Sequence, residues 1–144
     1  MRIGIIAEGK SDCAVLKNIC LGLELTDSMN DMRFLRPEFS VDASDISAFG
    51  SWTLVKKECE ERVLFDTFLG EENIFDEERI MVVQLDTAEC ELEGYDVKRP
   101  NKNAENYCEK LRQNVIEKIN EWLEYEFSEG IFYAVCIEET DALV

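Results

Sequence analysis

Four short apolar runs divide the chain, and a polar or acidic stretch follows each of them. The first run, residues 2–7, is rich in β-branched side chains and stops at the turn Glu8-Gly9-Lys10-Ser11-Asp12, whose glycine tolerates a tight bend. The other runs are residues 32–35, 80–85 and 131–137. Apolar runs without alternation are typical of strands that helices cover on both faces. The pattern predicts four strands, with Glu8 at the carboxyl end of the first.

Three longer segments carry apolar side chains at helix spacing. The first predicted helix spans residues 13–25, with apolar positions at Val15, Leu16, Ile19 and Leu23. The second spans residues 51–69, with apolar positions at Val55, Cys59 and Val63. The third spans residues 104–127, with apolar positions at Cys108, Leu111, Val115, Ile119 and Trp122. Ser11 or Asp12 is the expected cap of the first helix, because its side-chain oxygen can accept from free N–H groups of the first turn. Residues 40–50 and 92–103 are predicted loops.

The order of these elements is β-α-β-α-β-α-β, which predicts a fold class. Right-handed crossovers between such units give an α/β fold with a mainly parallel four-stranded sheet and helices on both faces, a three-layer Rossmann-like arrangement. Residues 1–144 are expected to form a single domain. A following helix is expected to begin near Asp141, so either a chain truncated at its C-terminus or one completed by a partner fits the pattern.

Composition indicates an ordered protein of the cytoplasm. Hydrophobic residues make up 46% of the chain and there are only two prolines. No apolar run approaches the length of a membrane span, and the N-terminus lacks the features of a signal peptide, which predicts a cytoplasmic protein without a membrane partner. The six cysteines are widely spaced without a CxxC pair, and are expected to be reduced and partly buried in the core.

The net charge and the absence of histidine restrict the reactions and ligands that this chain could support. Without histidine the chain has no Ser-His-Asp or Cys-His nucleophile system and none of the common zinc sites. The formal net charge of −17 penalises nonspecific binding to a phosphate backbone unless basic residues cluster or divalent cations intervene. Any reaction would depend on carboxylates, lysine, tyrosine, cysteine or a metal ion held by oxygen atoms.

Acidic side chains follow three of the four predicted strands. They are Glu8 after the first, Asp86, Glu89 and Glu91 after the third, and Glu138, Glu139 and Asp141 after the fourth. Carboxyl ends of parallel strands share one edge of the sheet, so these acids are expected to converge. Their mutual repulsion favours a cation, and Mg²⁺ or Mn²⁺ prefers such oxygen ligands. A chain with 32 acidic residues would also place several at strand ends by chance.

Two of these motifs resemble the Toprim family. The turn Glu8-Gly9-Lys10-Ser11-Asp12 after the first strand and Asp86-Thr87-Ala88 after the third look like the Toprim domain of topoisomerases, primases, small ribonucleases and OLD-type nucleases. Residues 139–142 also resemble an acidic motif of compact Toprim-like proteins associated with antiphage defence. The resemblance covers the four-strand layout, and implies magnesium-dependent phosphodiester chemistry on DNA or RNA.

The resemblance also implies roles for individual residues. Glu8 would be the general acid/base, or a ligand that positions the attacking group, and Asp86 would be the principal metal ligand. The auxiliary metal ligands would be Asp12, Glu89 and Glu139, and the residues that contact the phosphate backbone would be Lys10, Lys98, Arg99 and Lys102. For the basic residues, an ordinary solvated surface is the competing interpretation. Asp12 serves equally as a helix cap.

Position 88 departs from the family pattern, because Ala88 stands where the family has a second aspartate. Either a neighbouring acid such as Glu89 or Glu91 substitutes for it, or this copy is weakened or inactive, whether by nature or by an engineered change. The first hypothesis is therefore a Toprim-type endonuclease, acting alone, with a protein partner or as a homo-oligomer. The alternative is a noncatalytic acidic domain that binds a basic protein partner. A nucleotide-binding domain is a third reading, without a GxGxxG or GxxxxGK[ST] motif to support it.

Overall fold

Strands and helices alternate through the part of the chain that the computed structural model describes, which is residues 1–25, 31–37, 52–70, 78–127 and 129–138. The elements are β1 (Arg2–Ile6), α1 (Lys10–Gly22), β2 (Met32–Arg36), α2 (Trp52–Glu61), α3 (Val63–Gly70), β3 (Arg79–Asp86), α4 (Tyr107–Trp122) and β4 (Ile131–Cys136). The strands pair in the order β2-β1-β3-β4, and every pair is parallel. The predicted α/β class with a parallel four-stranded sheet is confirmed.

Two hydrophobic clusters lie on opposite faces of this sheet. Alternate residues of the central strands point to each face, so that Ile80 belongs to one cluster and Met81 to the other. Helix α1 covers one face through Cys13 and Cys20, while α2, α3 and α4 cover the other. The central strands β1 and β3 are therefore buried on both sides, which explains their apolar runs without alternation. No helix in the described ranges is long and apolar enough to cross a membrane.

A single helix was predicted over residues 51–69, and this prediction is wrong in one respect, because the structure has two helices there. Arg62 lies between α2 and α3 with a left-handed backbone (φ 59°). Its guanidinium pairs with Glu124 at 3.0 Å and also donates to the main-chain oxygen of Leu123. The bend turns Phe65 into the core and leaves Val63 60% exposed, although the spacing had placed Val63 on the buried stripe.

Helix α1 also differs from its prediction, both in its bounds and in its buried face. It begins at Lys10 and not at residue 13, so Gly9 occupies the cap position without any side-chain cap, and Asp12 lies in the first turn. Ile19 and Leu23, expected in the core, are exposed. Within the described residues, α1 is the helix that packs on this face of the sheet. No further apolar layer of the described residues covers the outer side of α1, where Ile19 and Leu23 lie.

The last helix is shorter than predicted, and one cysteine lies outside the core. Helix α4 runs from Tyr107 to Trp122, and turns occupy residues 123–127. Five cysteines are buried as expected, but Cys108, in the first turn of α4, is exposed. Residues 92–103 form turns and irregular structure as predicted. The predicted loop over residues 40–50 lies outside the described residues.

Replacement of Gly4 by alanine tests how closely β1 packs against its neighbours. A Cβ atom at this position would lie 2.7 Å from Met81 Sδ and 3.1 Å from the Phe68 ring, and both side chains are buried. We expect Gly4→Ala to lower the free energy of unfolding by about 1–3 kcal/mol, as overpacking does in other cores. Urea denaturation measures the effect.

Gly22→Ala is the matched control for that substitution. No atom lies within 4 Å of a Cβ built on Gly22, at the end of α1. This change should raise stability by about 0.5–1 kcal/mol, because alanine loses less backbone entropy in a helix. Equal effects of the two substitutions would contradict the close approach at Gly4.

Candidate functional site

The carboxyl groups of Glu8 and Asp86 meet at the carboxyl edge of the sheet. Strands β1 and β3 are neighbours in the sheet, so Glu8, which follows β1, lies beside Asp86, which ends β3. The main-chain N–H of Asp86 donates to Glu8 Oε2 at 2.9 Å, and the N–H of Ala88 donates to Asp86 Oδ1 at 3.0 Å. Each carboxyl group thus has one oxygen that accepts from a main-chain N–H.

Burial holds a proton on this pair. Burial, together with the negative charge of Asp86, raises the pKa of Glu8 from 4.5 to about 8. Burial also raises the pKa of Asp86, and the charges of Asp12 and Glu89 add to that shift. Two carboxylates this close cannot both ionise cheaply. At neutral pH the raised pKa therefore favours the protonated form of the Glu8 carboxyl.

Buried polar groups fix the position of the pair. Gln84 is only 1% exposed, and its Oε1 accepts from the main-chain N–H of Glu8 at 2.9 Å. The hydroxyl of Tyr95, which is fully buried, donates to the main-chain oxygen of Asp86 at 2.8 Å. Tyr95 in turn packs between Trp52 and Trp122, with ring centroids 5.3 and 5.7 Å away. These packed aromatic side chains therefore support the site and fix its position.

The predicted auxiliary ligands have different surroundings. Asp12 is buried in the first turn of α1, where the helix dipole favours an acid, and its charge acts on both Glu8 and Asp86. The carboxylate of Glu89 accepts from the indole N–H of Trp52 at 2.9 Å, and its charge acts on Asp86. Glu139 lies outside the described residues. In the described ranges, no three acidic or cysteine side chains are grouped so that they could hold a metal ion.

The predicted basic residues are not equivalent. Lys10 opens α1 directly after the Glu8 turn, and Lys98 and Lys102 are exposed on the loop before α4. Arg99 is only 21% exposed, and its guanidinium makes several contacts within the protein. Its contacts are the main-chain oxygens of Thr87 (2.5 Å) and Ala88 (3.5 Å), the carboxylates of Glu138 (3.0 Å) and Glu91 (3.4 Å), and the Tyr107 hydroxyl (3.4 Å).

Arg99 therefore ties the loop after β3 to the end of β4. Thr87 adds a second link between them, because its hydroxyl accepts from the main-chain N–H of Glu138 at 2.7 Å. In the structure, Arg99 is thus a link between the loops that carry Asp86 and Glu138.

Sequence reasoning missed the residues that support the site. Gln84 carried the clearest signal, because it is the single polar residue in the apolar run of β3 and comes two positions before Asp86. Tyr95 and Trp52 carried no such signal, since their contacts join segments 9 and 37 residues apart in the chain. Trp52 is buried, and its indole N–H also binds Glu89.

The chain has no match among protein-family models, curated proteins or solved structures. The Toprim resemblance therefore depends on the residues of this chain alone and stays a prediction.

The carboxyl oxygens of Glu8 and Asp86 are of the type that Mg²⁺ prefers, and Mg²⁺ usually binds through one or two carboxylates and keeps several waters. Each carboxyl group has a second oxygen that accepts from no main-chain N–H of the described residues. Burial is the main cause that raises both pKa values, and a bound cation would oppose it by favouring the ionised carboxylates.

The pH dependence of stability tests the protonated pair. The pKa of Glu8 is higher in the folded protein than its ordinary value of 4.5, so the folded state binds the proton more tightly. This contribution is complete below pH 4.5 and is lost as the pH rises through about 8. Relative to Glu8→Gln, the native chain should lose up to about 1.4 kcal/mol of stability per pH unit in this interval.

Urea denaturation at a series of pH values, with a chelator present, measures that difference. Glu61→Gln, at an exposed position of α2, is the control and should follow the native curve. If the native chain and Glu8→Gln keep a constant difference from pH 5 to 8, Glu8 is not protonated as described.

Proposed function

We propose that this protein is a divalent-metal-dependent enzyme of phosphodiester chemistry, a Toprim-type nuclease that acts on DNA or RNA. The observation that carries the proposal is the hydrogen bond from the main-chain N–H of Asp86 to the Glu8 carboxyl, which brings the two acids together at the carboxyl edge of the two central parallel strands. In open α/β sheets, ligands bind outside this edge. The resemblance of the two motifs to the Toprim family supplies the reaction class.

The two acids would have different roles. Asp86 would hold Mg²⁺ or Mn²⁺, and the bound ion would polarise a phosphoryl oxygen. Glu8 is suited to general acid/base catalysis, because its pKa is raised towards neutral pH and its position is fixed by Gln84 and Asp86. Lys10, at the start of α1, is the basic residue nearest in sequence to Glu8, and would face the phosphate backbone.

Ala88 limits the activity expected of this chain. The side chain at position 88 is exposed, in the turn that follows Asp86. Without a carboxylate there, the site would bind its ion through fewer protein oxygens and hold it weakly. An aspartate at this exposed position requires no change in packing, so Ala88→Asp is a direct way to complete the family's motif.

Calorimetric titration with Mg²⁺ and Mn²⁺ tests the metal site. Asp86→Asn should lower the affinity at least about tenfold, since it removes a charged ligand. Glu8→Gln should abolish the proton release that accompanies binding near pH 7, which titration in buffers of different ionisation enthalpy reveals. Glu61→Gln should bind like the native chain. Unchanged affinity in both Asp86→Asn and Glu8→Gln would refute the site.

Cleavage of plasmid DNA and of RNA tests the reaction. We expect Ala88→Asp to cut one of these substrates faster than the native chain, in a metal-dependent way. The double variants Ala88→Asp with Glu8→Gln and Ala88→Asp with Asp86→Asn should lose that gain. Metal binding without cleavage of either substrate by Ala88→Asp would contradict the nuclease and leave only a metal site.

A noncatalytic acidic interaction domain is the second candidate. Two observations favour it: Ala88 in place of the second aspartate, and the ion pairs of Arg99 with Glu91 and Glu138 within the protein. With a net charge of −17, such a domain would bind a basic partner protein. It predicts neither metal binding nor cleavage, even in Ala88→Asp.

A further inference from the structure

A cavity of about 240 Å³ lies between α1 and β4, on the face of the sheet that α1 covers. Its floor is formed by Gln84 and Ala134, which are opposite each other in the register of β3 and β4, and by Cys136. Val15 and Leu16 of α1 form an apolar wall. The cavity is smaller than the pockets of roughly 300–1,000 Å³ that take drug-sized ligands, so it suits a single flat ring system.

Two residues join this cavity to the Glu8–Asp86 pair. Gln84, in the floor, accepts from the main-chain N–H of Glu8 at 2.9 Å. Asp12, in the first turn of α1, also lines the cavity, and its negative charge acts on both Glu8 and Asp86. The end of the cavity at Asp12 therefore lies next to the carboxyl pair.

Two charged side chains of the cavity are without partners in the described ranges. Asp12 is only 8% exposed, yet none of the described residues donates a hydrogen bond to its carboxylate or forms an ion pair with it. Arg112 of α4 lines the same cavity and likewise pairs with no described acid, Asp12 included. The Tyr133 hydroxyl, by contrast, already binds Asn120. Because a buried carboxylate without donors is costly, a ligand that donates to Asp12 would be bound favourably.

Guanine has the hydrogen-bonding groups that these two side chains require. A carboxylate has two acceptor oxygens, and a guanidinium is a planar fork of donors. Guanine carries two neighbouring donors, N1–H and the N2 amino group, and next to them the acceptors O6 and N7, which arginine binds through two hydrogen bonds. Adenine has a single donor group beside N7, so it would satisfy Asp12 and Arg112 only in part. The flat apolar faces of a purine also suit the space between Leu16 and Ala134.

We propose that this cavity is a specificity pocket for a guanine base of the nucleic acid substrate, in which Asp12 accepts from N1–H and the N2 amino group and Arg112 donates to O6 and N7. The inference rests on the proposed function, because a base held here would belong to a nucleotide whose phosphodiester lies near Glu8 and Asp86. It assigns Asp12 to the base and not to the metal ion. Since base pairing occupies the N1 and N2 groups of guanine, the substrate is an unpaired guanine in a single strand or a loop.

Titration of the ¹⁵N-labelled full chain with nucleosides tests the pocket by NMR. A chelator is present, and nucleosides carry no phosphate, so neither the metal ion nor cleavage affects the result. Guanosine should shift the amide signals of Ala134 and Cys136 with a dissociation constant of about 0.1–1 mM, as expected for a ligand of this size. Inosine, which lacks the N2 amino group, should bind at least about fivefold more weakly, and adenosine and cytidine more weakly still. Equal affinity for these nucleosides, or no saturable shift at Ala134 and Cys136, overturns the pocket.

Substitutions in the cavity identify the groups that bind the base. Asp12→Asn and Arg112→Gln should each weaken guanosine binding at least about fivefold. Asp66→Asn, in the first turn of α3, and Lys110→Gln, on α4, make the same charge changes at exposed positions outside the cavity and should bind like the native chain. Ala134→Leu fills the cavity without a change of charge and should abolish binding. If Asp12→Asn or Ala134→Leu does not fold, Arg112→Gln, at an exposed position, decides: unchanged guanosine affinity in that variant overturns the proposal.

Mapping of the cleavage positions separates this inference from the proposed function. Ala88→Asp should cut unpaired RNA or DNA next to guanine, and the double variant with Arg112→Gln should cut without that preference. Guanosine binding without cleavage by Ala88→Asp would refute the nuclease and leave a guanine-binding pocket. Cleavage without any preference for guanine would refute the pocket and leave the nuclease.

Discussion

Parallel pairing of β1 with β3 is the interaction on which the rest of the structure depends. It places Ile6 beside Val83, so the strand ends that follow, at Glu8 and Asp86, reach the same edge of the sheet. It also requires apolar residues on both faces of the two strands, which is why a helix lies on each side. The close approach of Gly4 to Met81 belongs to the same pairing.

The position of the carboxyl pair is set by the main chain more than by its own attraction. Two acids at this distance repel each other when both are ionised, yet hydrogen bonds from Asp86 and Ala88 and the amide of Gln84 hold them together. Hydrogen bonds from neutral main-chain groups can outweigh such repulsion when one acid keeps its proton. An arrangement that costs stability and is held so firmly is typical of a functional site.

The fold could be predicted from the sequence where a local pattern determines it, and not where a distant contact does. The apolar runs at residues 2–7 and 80–85 indicated both central strands and the acids that follow them. The break at Arg62 depends on contacts with Leu123 and Glu124, some 60 residues away, so no local pattern contained it. The exposure of Ile19 likewise depends on which half of the sheet α1 covers. For the candidate site, the residues that end the strands were predictable, whereas Tyr95 and Trp52 were not, since tertiary packing alone brings them there.

The uneven burial of the cysteines has a practical consequence. Burial raises the pKa of the Cys13, Cys20, Cys59 and Cys90 thiols, which keeps them protonated and slow to react with electrophiles. Cys136 is buried too, whereas Cys108 is exposed at the start of α4. A maleimide dye added to the native protein should therefore label one position in each chain. The chain thus carries a natural attachment point for a fluorophore or spin label, and no cysteine has to be engineered for distance measurements.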